Sequence, residues 1–423
     1  MTRNGEPVKN PLGVGGPPPV RTKPWAALES PNYLLLWVGF IVTNVGNQAL
    51  QVANLWQVYE LSRSPLELGL TGLFQALPLF IFGVYGGVLA DVFERRRLLI
   101  ISQALRFVAV LLLALLTQLE IAEVWHVYSL TFANTVFGML DRPARQAIIA
   151  NVVPREHLFS AVSLQIASTQ ATRLVGPSIA GVAIAVVGLA ATYYAITASV
   201  LAAVVLLLVM RVPGVQERVA GGVSFRAAGE GLRFLLSTPL LVGLIALDAG
   251  ITFFGSFRPL LPIVAEEILH AGPVGLGALF AAPGVGAVIG SSAVVMMGES
   301  RRRGLLVLAG TLLYGLLVMP LGFSQSFLLS LLLAGGLGLF DAFGATVRQT
   351  SVQLATPDAL RGRVTSVHQM FSMGAPSLGY VQIGVMASLV GEPAALALGG
   401  ALCMVTAASV LLWWRSRGLD VLS

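Results

Sequence analysis

The sequence predicts an all-α membrane protein with twelve transmembrane helices in two six-helix bundles. Three observations support this fold class: the low content of charged residues, the long apolar runs, and the placement of basic residues on one side of the membrane. Of the 423 residues, 56% are hydrophobic and only 11% are charged, whereas soluble proteins carry about 25% charged residues. This number of charges is too small to cover the surface of a soluble fold of this length. We therefore expect the apolar runs to face lipid.

Apolar runs long enough to cross a bilayer recur along the whole chain. About 20 apolar residues in a helix span the hydrocarbon core. The runs fall at 33–58, 67–90, 98–119, 125–150, 158–187, 189–210, 237–264, 274–297, 304–322, 326–355, 363–388 and 393–414.

Basic residues mark one side of the membrane. With the N-terminus inside, 19 Lys and Arg residues fall in the segments predicted to be cytoplasmic, and only Arg63 falls in an outer loop. This asymmetry is typical of an inner-membrane protein with both termini in the cytoplasm. It also explains the basic pI without nucleic acid, which we do not expect as a partner.

The longest internal polar stretch divides the chain into related halves. We predict a cytoplasmic tail (1–31), a first bundle (32–210), a cytoplasmic central loop (211–236), a second bundle (237–414) and a cytoplasmic C-terminus (415–423). Arg-Gln at 145–146 is followed by Pro and Ser at successive nine-residue steps, and the same pattern follows Arg-Gln at 348–349. Such internal duplication is common in secondary transporters.

The sequence shows no enzyme, metal or cofactor motif. The single Cys403 excludes an internal disulfide, and the four histidines are scattered. We therefore expect neither catalytic residues nor a metal or cofactor.

A polar face on the first span is the main candidate for a substrate cavity. Asn44, Asn47, Gln48 and Gln51 recur at helical spacing, and such a stripe would be unfavourable against lipid. It either binds substrate in a cavity or joins neighbouring helices by hydrogen bonds.

Two acidic residues are candidates for proton coupling. Asp248 lies near the middle of the seventh span and Asp341 in the tenth, and a buried carboxylate can load and release protons. The alternative for Asp248 is a salt bridge, with Arg173 as one candidate partner. Arg106 and Arg258 are expected to extend toward the membrane interfaces.

The loop after the second span, GGVLADVFERRR, resembles a motif of the major facilitator superfamily. Gly87, Asp91, Arg95 and Arg96 match its spacing, while Val92 and Glu94 depart from it. The resemblance covers the whole chain. It implies two bundles around a central cavity lined by spans one, four, seven and ten, with this loop as a latch on the cytoplasmic side. Asp141, Arg145 and Arg348 are predicted to complete that cytoplasmic gate.

A second resemblance concerns the fifth span. In GPSIAG, Gly176, Pro177 and Gly181 match a pattern frequent in exporters of the superfamily, whereas Ala180 departs from it. Local patterns such as DRPARQAI at 141–148 are similar to the bacterial exporter group that includes the enterobactin exporter and macrolide efflux proteins.

These features together predict a proton-coupled antiporter that exports a small amphipathic molecule, such as a drug or a siderophore, by alternating access. Its expected partners are that small molecule, protons and the lipid bilayer. An importer or facilitator of a small solute and a lipid flippase on the same fold remain the alternatives.

Overall fold

The computed structural model describes residues 23–92, 94–210, 225–297, 303–357 and 360–418, and these contain helices but no β-strand. The first half begins with α1 (Pro31–Ser62), α2 (Pro65–Val92), α3 (Arg95–Gln118) and α4 (Val124–Val152). Ser30 caps α1, because its side chain accepts a hydrogen bond from the backbone N–H of Tyr33 and Pro31 follows as the first helical residue.

Helix α5 (Leu158–Val209) has 52 residues, too many for one crossing of a bilayer about 30 Å thick. Gly188 breaks it with φ 83° and ψ 170°, a conformation that favours glycine. The segments before and after Gly188 are antiparallel, as their contacts with α1 show. In the first segment, residue 161 contacts residue 33 of α1 and residue 168 contacts residue 37, so this segment runs parallel to α1. In the second segment, residue 206 contacts residue 39 and residue 199 contacts residue 46, so this segment runs antiparallel to α1. Two spans therefore meet at the predicted boundary.

The second half begins with α6 (Phe225–Ser237) and α7 (Pro239–Ala249). The seventh span is broken after α7. It continues through a π-helical turn (Gly250–Phe254), a 3-10 turn (Arg258–Leu260), the short α8 (Leu261–Ile263) and a second π-helical turn (Val264–Ile268). Five long helices follow: α9 (Gly272–Met297), α10 (Arg303–Leu321), α11 (Phe327–Ala355), α12 (Arg361–Val390) and α13 (Glu392–Ser416).

Within the described ranges, nine helical segments are long and apolar enough to cross a membrane. One of them comprises the two arms of α5. Helix α4 is not among the nine, and the apolar part of α12, Gly374–Val390, is shorter than the rest. The chain is therefore a multi-pass all-α membrane protein, and the number of twelve spans stays a prediction.

Two segments predicted as tail or loop are ordered in part. Residues Ala26–Glu29 form a 3-10 turn in which Ala27 is buried and donates its backbone N–H to Ser160. The last part of the predicted central loop is the amphipathic helix α6, which packs on α12 through Gly231 and a Glu230–Arg363 ion pair. Residues 1–22, 211–224 and 419–423 of the predicted cytoplasmic segments lie outside the described residues.

The bundles touch near one end of their helices. We call the side where α1 begins and α13 ends the terminal face, and the opposite side the distal face. Near the distal face α2 packs on α12 and α5 packs on α9. Both crossings rely on glycine: a Cβ built at Gly69 would lie 2.7 Å from the Cα of Gly384, and one at Gly181 would lie 2.9 Å from the Cα of Gly277. The distal face is closed by backbone contact.

A polar contact reinforces this closure. Tyr59 of α1 is fully buried and donates a hydrogen bond of 2.9 Å to Glu267 of the other bundle. Arg63, at the end of α1, donates to the same Tyr59 hydroxyl and lies over its ring. Tyr59 therefore connects the two bundles through a single hydroxyl.

Candidate transport site

Arg106 anchors a polar network inside the first bundle. It lies mid-way along α3, is 4% exposed, and donates to the side-chain oxygens of Asn134 (2.9 Å) and Asn47. The expectation that Arg106 extends toward the interface is therefore wrong, because amide oxygens from α1 and α4 satisfy it within the bundle. Asn47 serves here as a link between helices, which is the alternative reading of the polar face.

An ion pair lies closer to the terminal face in the same bundle, with Asp141 about two helical turns beyond Asn134 on α4. Arg145 binds Asp141 of its own helix through two hydrogen bonds of 3.2 and 3.0 Å. Gln103 of α3 also donates to Asp141, at 2.8 Å. This predicted gate pair is thus held inside the first bundle.

The corresponding pair of the second bundle crosses between helices. Asp248 of α7 forms an ion pair of 2.5 Å with Arg348 of α11 and accepts a 2.9 Å hydrogen bond from Ser372 of α12. The partner of Asp248 is therefore Arg348, not Arg173 as considered from the sequence. Asp248 is 5% exposed and has both oxygens occupied, so this arrangement ties three helices together.

Asp341 has a different environment, near the middle of α11. Its side chain is exposed, and it forms neither a hydrogen bond nor an ion pair with any described residue. Its charged neighbours are Arg348, Asp248, Arg258 and Arg173, the last from the other bundle. An exposed carboxylate between the two bundles, at half the depth of its helix, lines an interior opening. Such a carboxylate can exchange protons with solvent.

Arg258 lies at the break of the seventh span and meets the same opening. It is half-buried and lies beside the Tyr380 hydroxyl of α12. Gln51 of α1 donates to the same hydroxyl at 3.2 Å, so this contact crosses between the bundles. The expectation that Arg258 extends toward the interface is wrong, because Tyr380 and the broken helix hold it inside.

The rest of the polar face on α1 has local partners. Asn44 donates to the backbone carbonyl of Phe40 in its own helix, at 3.0 Å. Gln48 packs against Gly176 of α5, where a Cβ would overlap the glutamine side chain or approach the Val45 carbonyl at 3.0 Å. Both residues are half-buried, and their role in substrate binding stays a prediction.

The glycine motif of the fifth span lies at two helix crossings. Gly176 allows α1 to approach, and Gly181 allows α9 to approach from the other bundle. A Cβ at Gly277 would lie 2.6 Å from the Pro177 carbonyl. The helical φ/ψ angles continue through Pro177 and are interrupted at Gly188.

The predicted cytoplasmic latch is described only in part. Gly87 and Asp91 belong to α2, but their side chains lie outside the described residues. Arg95 begins α3. Arg96 donates to the carbonyls of Leu207 (3.1 Å) and Leu208 (2.8 Å), and so caps the end of α5 within its own bundle.

Several site residues were not found from the sequence. Gln103, Asn134, Ser372 and Tyr380 each complete a contact described above. None of them belongs to a polar stripe at helical spacing like that of the first span, so no spacing pattern marked it. The cost of a polar group within a span was the available signal.

With this geometry in place, comparison with known proteins identifies the family. The family model described as "Transmembrane secretion effector" matches residues 22–420. The chain belongs to the transmembrane secretion effector family. Since that match covers nearly the whole chain, the secretion-effector assignment applies to both bundles.

Curated relatives of this secretion effector are exporters. It is 25% identical over 375 residues to the enterobactin exporter EntS of Citrobacter koseri, covering 88% of each chain. The enterobactin exporter EntS of Shigella boydii serotype 18 matches with the same identity and coverage. The chain is therefore a membrane transporter.

Solved structures confirm the major facilitator fold. A POT family transporter in complex with 5-aminolevulinic acid superposes with a TM-score of 0.71 at 12% identity, covering 92% of this chain and 96% of that one. A D-xylose–proton symporter superposes with a TM-score of 0.69 at 15% identity, covering 91% and 97%. At these identities the likeness concerns the fold alone.

Proposed function

We propose that this protein is a proton-coupled exporter of a small amphipathic molecule that works by alternating access. It lies in the inner membrane with both termini in the cytoplasm, so that its terminal face is cytoplasmic. The observation that carries the proposal is Asp341, an exposed carboxylate between the two bundles at mid-helix depth. The family and its enterobactin-exporting relatives support the outward direction.

The closed distal face supports alternating access. Glycine contacts at the α2–α12 and α5–α9 crossings join the bundles near that face. Asp341 and Arg173 remain exposed further toward the terminal face. In this conformation cargo enters from the terminal face, and rocking of the bundles would open the distal face.

The geometry favours Asp341 over Asp248 as the proton-coupling residue. A coupling carboxylate must exchange protons with solvent, and Asp341 is exposed whereas Asp248 is buried in an ion pair. Arg348 and Asp248 together then maintain the helix arrangement around Asp341.

The test is cargo-dependent proton movement in proteoliposomes, measured with a panel of siderophores, including enterobactin, and dyes. We expect wild-type protein to show it and Asp341→Asn to lose it while still binding cargo. Glu120→Gln, in an exposed distal turn, is the matched control and should behave as wild type.

Other outcomes separate the alternatives. Proton movement that survives in Asp341→Asn but is lost in folded Asp248→Asn would move the coupling role to Asp248. Cargo uptake from the opposite side would indicate an importer. Lipid movement without transport of any solute would indicate a flippase, and either result would overturn the proposed export.

A further inference from the structure

Helix α6 buries one side in the second bundle and exposes apolar residues on another. Leu235 belongs to a buried apolar cluster of that bundle. Gly231 lies against α12, where an added Cβ would be 2.8 Å from the Arg363 carbonyl. Leu232 and Leu236, about one helical turn apart, are 36% and 63% exposed. The helix therefore carries a second apolar stripe that faces outward.

The position of α6 places this stripe at the surface of the membrane. Thr238 alone separates α6 from Pro239, the first residue of α7, and its hydroxyl donates to the Phe234 carbonyl at 3.1 Å. Trp414, near the end of α13, donates to the Pro239 carbonyl at 3.1 Å. Tryptophan at the end of a span is typical of the membrane–water interface. Helix α6 thus lies at the level where two spans of the second bundle end.

An arginine borders the exposed apolar stripe. Arg233 is exposed, and at 3.6 residues per turn it lies about 60° around the helix axis from Leu236. Arg226 precedes it by seven residues in the sequence, which is about two helical turns. The acidic residue of α6, Glu230, forms an ion pair with Arg363 of α12. The charge of Arg233 is therefore presented beside apolar surface.

A neighbouring helix adds basic side chains at the same level. Helix α13 packs on α7 and α12, and α6 packs on the same two helices. The end of α13 carries Arg415 and Arg417, both exposed, and Arg417 lies over the ring of Trp413. An arginine at a membrane surface can lay its methylene groups on apolar surface while its guanidinium stays in the polar layer. This part of the terminal face combines positive charge with exposed leucines.

We propose that α6 is a binding site for anionic phospholipids. Leu232 and Leu236 insert among the acyl chains, and Arg233 binds the lipid phosphate. A helix with an apolar stripe and a basic edge lies in the plane of the interface. A guanidinium donates paired N–H groups to phosphate oxygens, and basic residues beside a span attract anionic lipids. A neutral lipid would cover the leucines but would leave the net charge of the arginines uncompensated, so charge selects the lipid.

A lipid bound to α6 would act on α12. The close contact at Gly231 and the Glu230–Arg363 ion pair join α6 to the first turn of α12. The same helix carries Ser372, which donates to Asp248, and Gly384, which meets α2 in the distal closure. Bound lipid would therefore hold the terminal end of this helix at the membrane surface.

The experiment measures which lipid surrounds α6. A bimane fluorophore is attached to Leu236→Cys in the Cys403→Ser background, and the full-length protein is placed in nanodiscs of phosphatidylcholine with a minor fraction of phosphatidylglycerol. In one preparation the phosphatidylglycerol carries bromine on its acyl chains. In the other an equal mole fraction of the phosphatidylcholine does. Bromine quenches bimane on contact, so the ratio of the two quenching efficiencies gives the local enrichment of the anionic lipid.

We expect both brominated lipids to quench the bimane, because position 236 lies among acyl chains. Phosphatidylglycerol should be enriched at least about threefold around it. The enrichment should fall at roughly 1 M salt, where the screening length is about 3 Å. Leu389→Cys, exposed near the distal end of α12, is the matched control, and both lipids should quench a bimane there equally.

Variants assign the enrichment to α6. Arg233→Gln should remove most of it and leave quenching by brominated phosphatidylcholine unchanged, because the leucine stripe is intact. Arg233→Lys should keep most of it. Arg155→Gln changes an exposed arginine on the terminal side of the first bundle, and it should keep all of the enrichment at position 236. Circular dichroism checks that each variant is folded.

Equal quenching by the two lipids at position 236 would overturn the inference, and so would enrichment that survives in folded Arg233→Gln. Quenching by aqueous iodide but by neither lipid would place α6 in water. Protection from iodide and from both lipids would show that protein, such as a second copy of this chain, covers the stripe. Either result would also overturn the lipid site. The measurement needs neither cargo nor a gradient, so its outcome is independent of the proposed export.

Discussion

At the scale of single residues, the described part of each bundle contains one arginine–aspartate pair within its helices, and the two pairs are built differently. Arg145 takes its carboxylate from its own helix, four residues earlier, whereas Arg348 takes Asp248 from α7. The first pair supports one helix, and the second holds two helices together. Asp341 belongs to neither pair and is exposed. It is therefore more accessible for proton exchange with solvent than Asp141 or Asp248.

The Asp248–Arg348 pair should be strongly coupled in stability. Asp248→Asn leaves the Arg348 charge buried without compensation, and we expect it to lower the free energy of unfolding by about 3–5 kcal/mol. Arg348→Met should cost a similar amount, and the double variant should cost less than the sum of the two.

Reversible unfolding in detergent by increasing sodium dodecyl sulfate measures these changes. The exposed pair Arg97–Glu94, in which Arg97 is 79% exposed, is the matched control. Arg97→Gln should change the free energy of unfolding by less than about 1 kcal/mol. Additive losses in the double variant at Asp248 and Arg348 would contradict the coupling.

At the scale of helices, closure of the distal face depends on small residues at two crossings. Gly69 meets Gly384 where α2 crosses α12, and Gly181 meets Gly277 where α5 crosses α9. Backbone contact of this kind leaves no room for a side chain on either helix. The two crossings therefore determine how far the bundles can close on that side.

Gly181→Val should shift the protein toward conformations with an open distal face. An added side chain would overlap the backbone of α9 at Gly277, which cannot move away while the crossing stays closed. Spin-label distances between α5 near Gly188 and the start of α9, both at the distal face, should lengthen by several ångströms when measured in a Cys403→Ser background. Gly229→Val is the control, since no described atom lies within 4 Å of an added Cβ there. An unchanged distance in folded Gly181→Val would contradict this role.

The positions of most helices could be predicted from the sequence, but their interruptions could not. Apolar runs marked α1, α3 and α9 to within a few residues, because lipid selects apolar side chains over a fixed length. Hydropathy does not distinguish regular helix from the π-helical turn at Gly250–Phe254. It also gives no sign that the polar stretch after residue 224 would be helical.

The sequence was sufficient to identify the charged residues of the candidate site, but not their interaction partners. Asp248, Asp341 and Arg348 stand out in the sequence because charge within a span is costly. Their partners depend on how helices rotate about their axes, which a single sequence does not specify. The ion pair of Asp248 with Arg348, and the enclosure of Arg106 by asparagines, therefore required the structure.

At the scale of the whole molecule, several contacts between the described parts of the two bundles lie near the distal face. The linking contacts include the glycine crossings, Tyr59 with Glu267, and Gln51 with Tyr380. Helix α6 joins the central stretch to the terminal end of α12 through the Glu230–Arg363 ion pair. Movement of one bundle would therefore be transmitted to the linker through α12.

The proposed orientation can be tested with cysteines in the Cys403→Ser background. Ser416→Cys lies at the terminal end of α13 and Glu120→Cys in the distal turn after α3, both exposed. If the terminal face is cytoplasmic, a membrane-impermeant maleimide added to intact spheroplasts should label the cysteine at 120 but not the one at 416. After lysis the maleimide should label both cysteines. Labelling of the cysteine at 416 but not of the one at 120 in intact spheroplasts would show that the terminal face is periplasmic.

The two halves differ by three residues in the spacing between the aspartate and the arginine. This difference gives the corresponding carboxylates different environments. Asp141 precedes Arg145 by four residues, while Asp341 precedes Arg348 by seven, and Gly344 occupies the position four before Arg348. Outside its own helical turn, no described atom lies within 4 Å of a Cβ built at Gly344. The first half pairs its arginine with an aspartate of the same helix, whereas in the second half Arg348 is paired with Asp248 of another helix and Asp341 stands outside the pair.

Copying the spacing of the first half into the second half should therefore compensate for a lost partner of Arg348. Gly344→Asp places a carboxylate one helical turn before Arg348, as Asp141 is placed before Arg145. In the Asp248→Asn background it should recover at least about 1 kcal/mol of the lost stability, measured by the same detergent unfolding. Gly344→Asn is the isosteric control and should recover none. Equal recovery by both would show that the second copy no longer retains the geometry of the first.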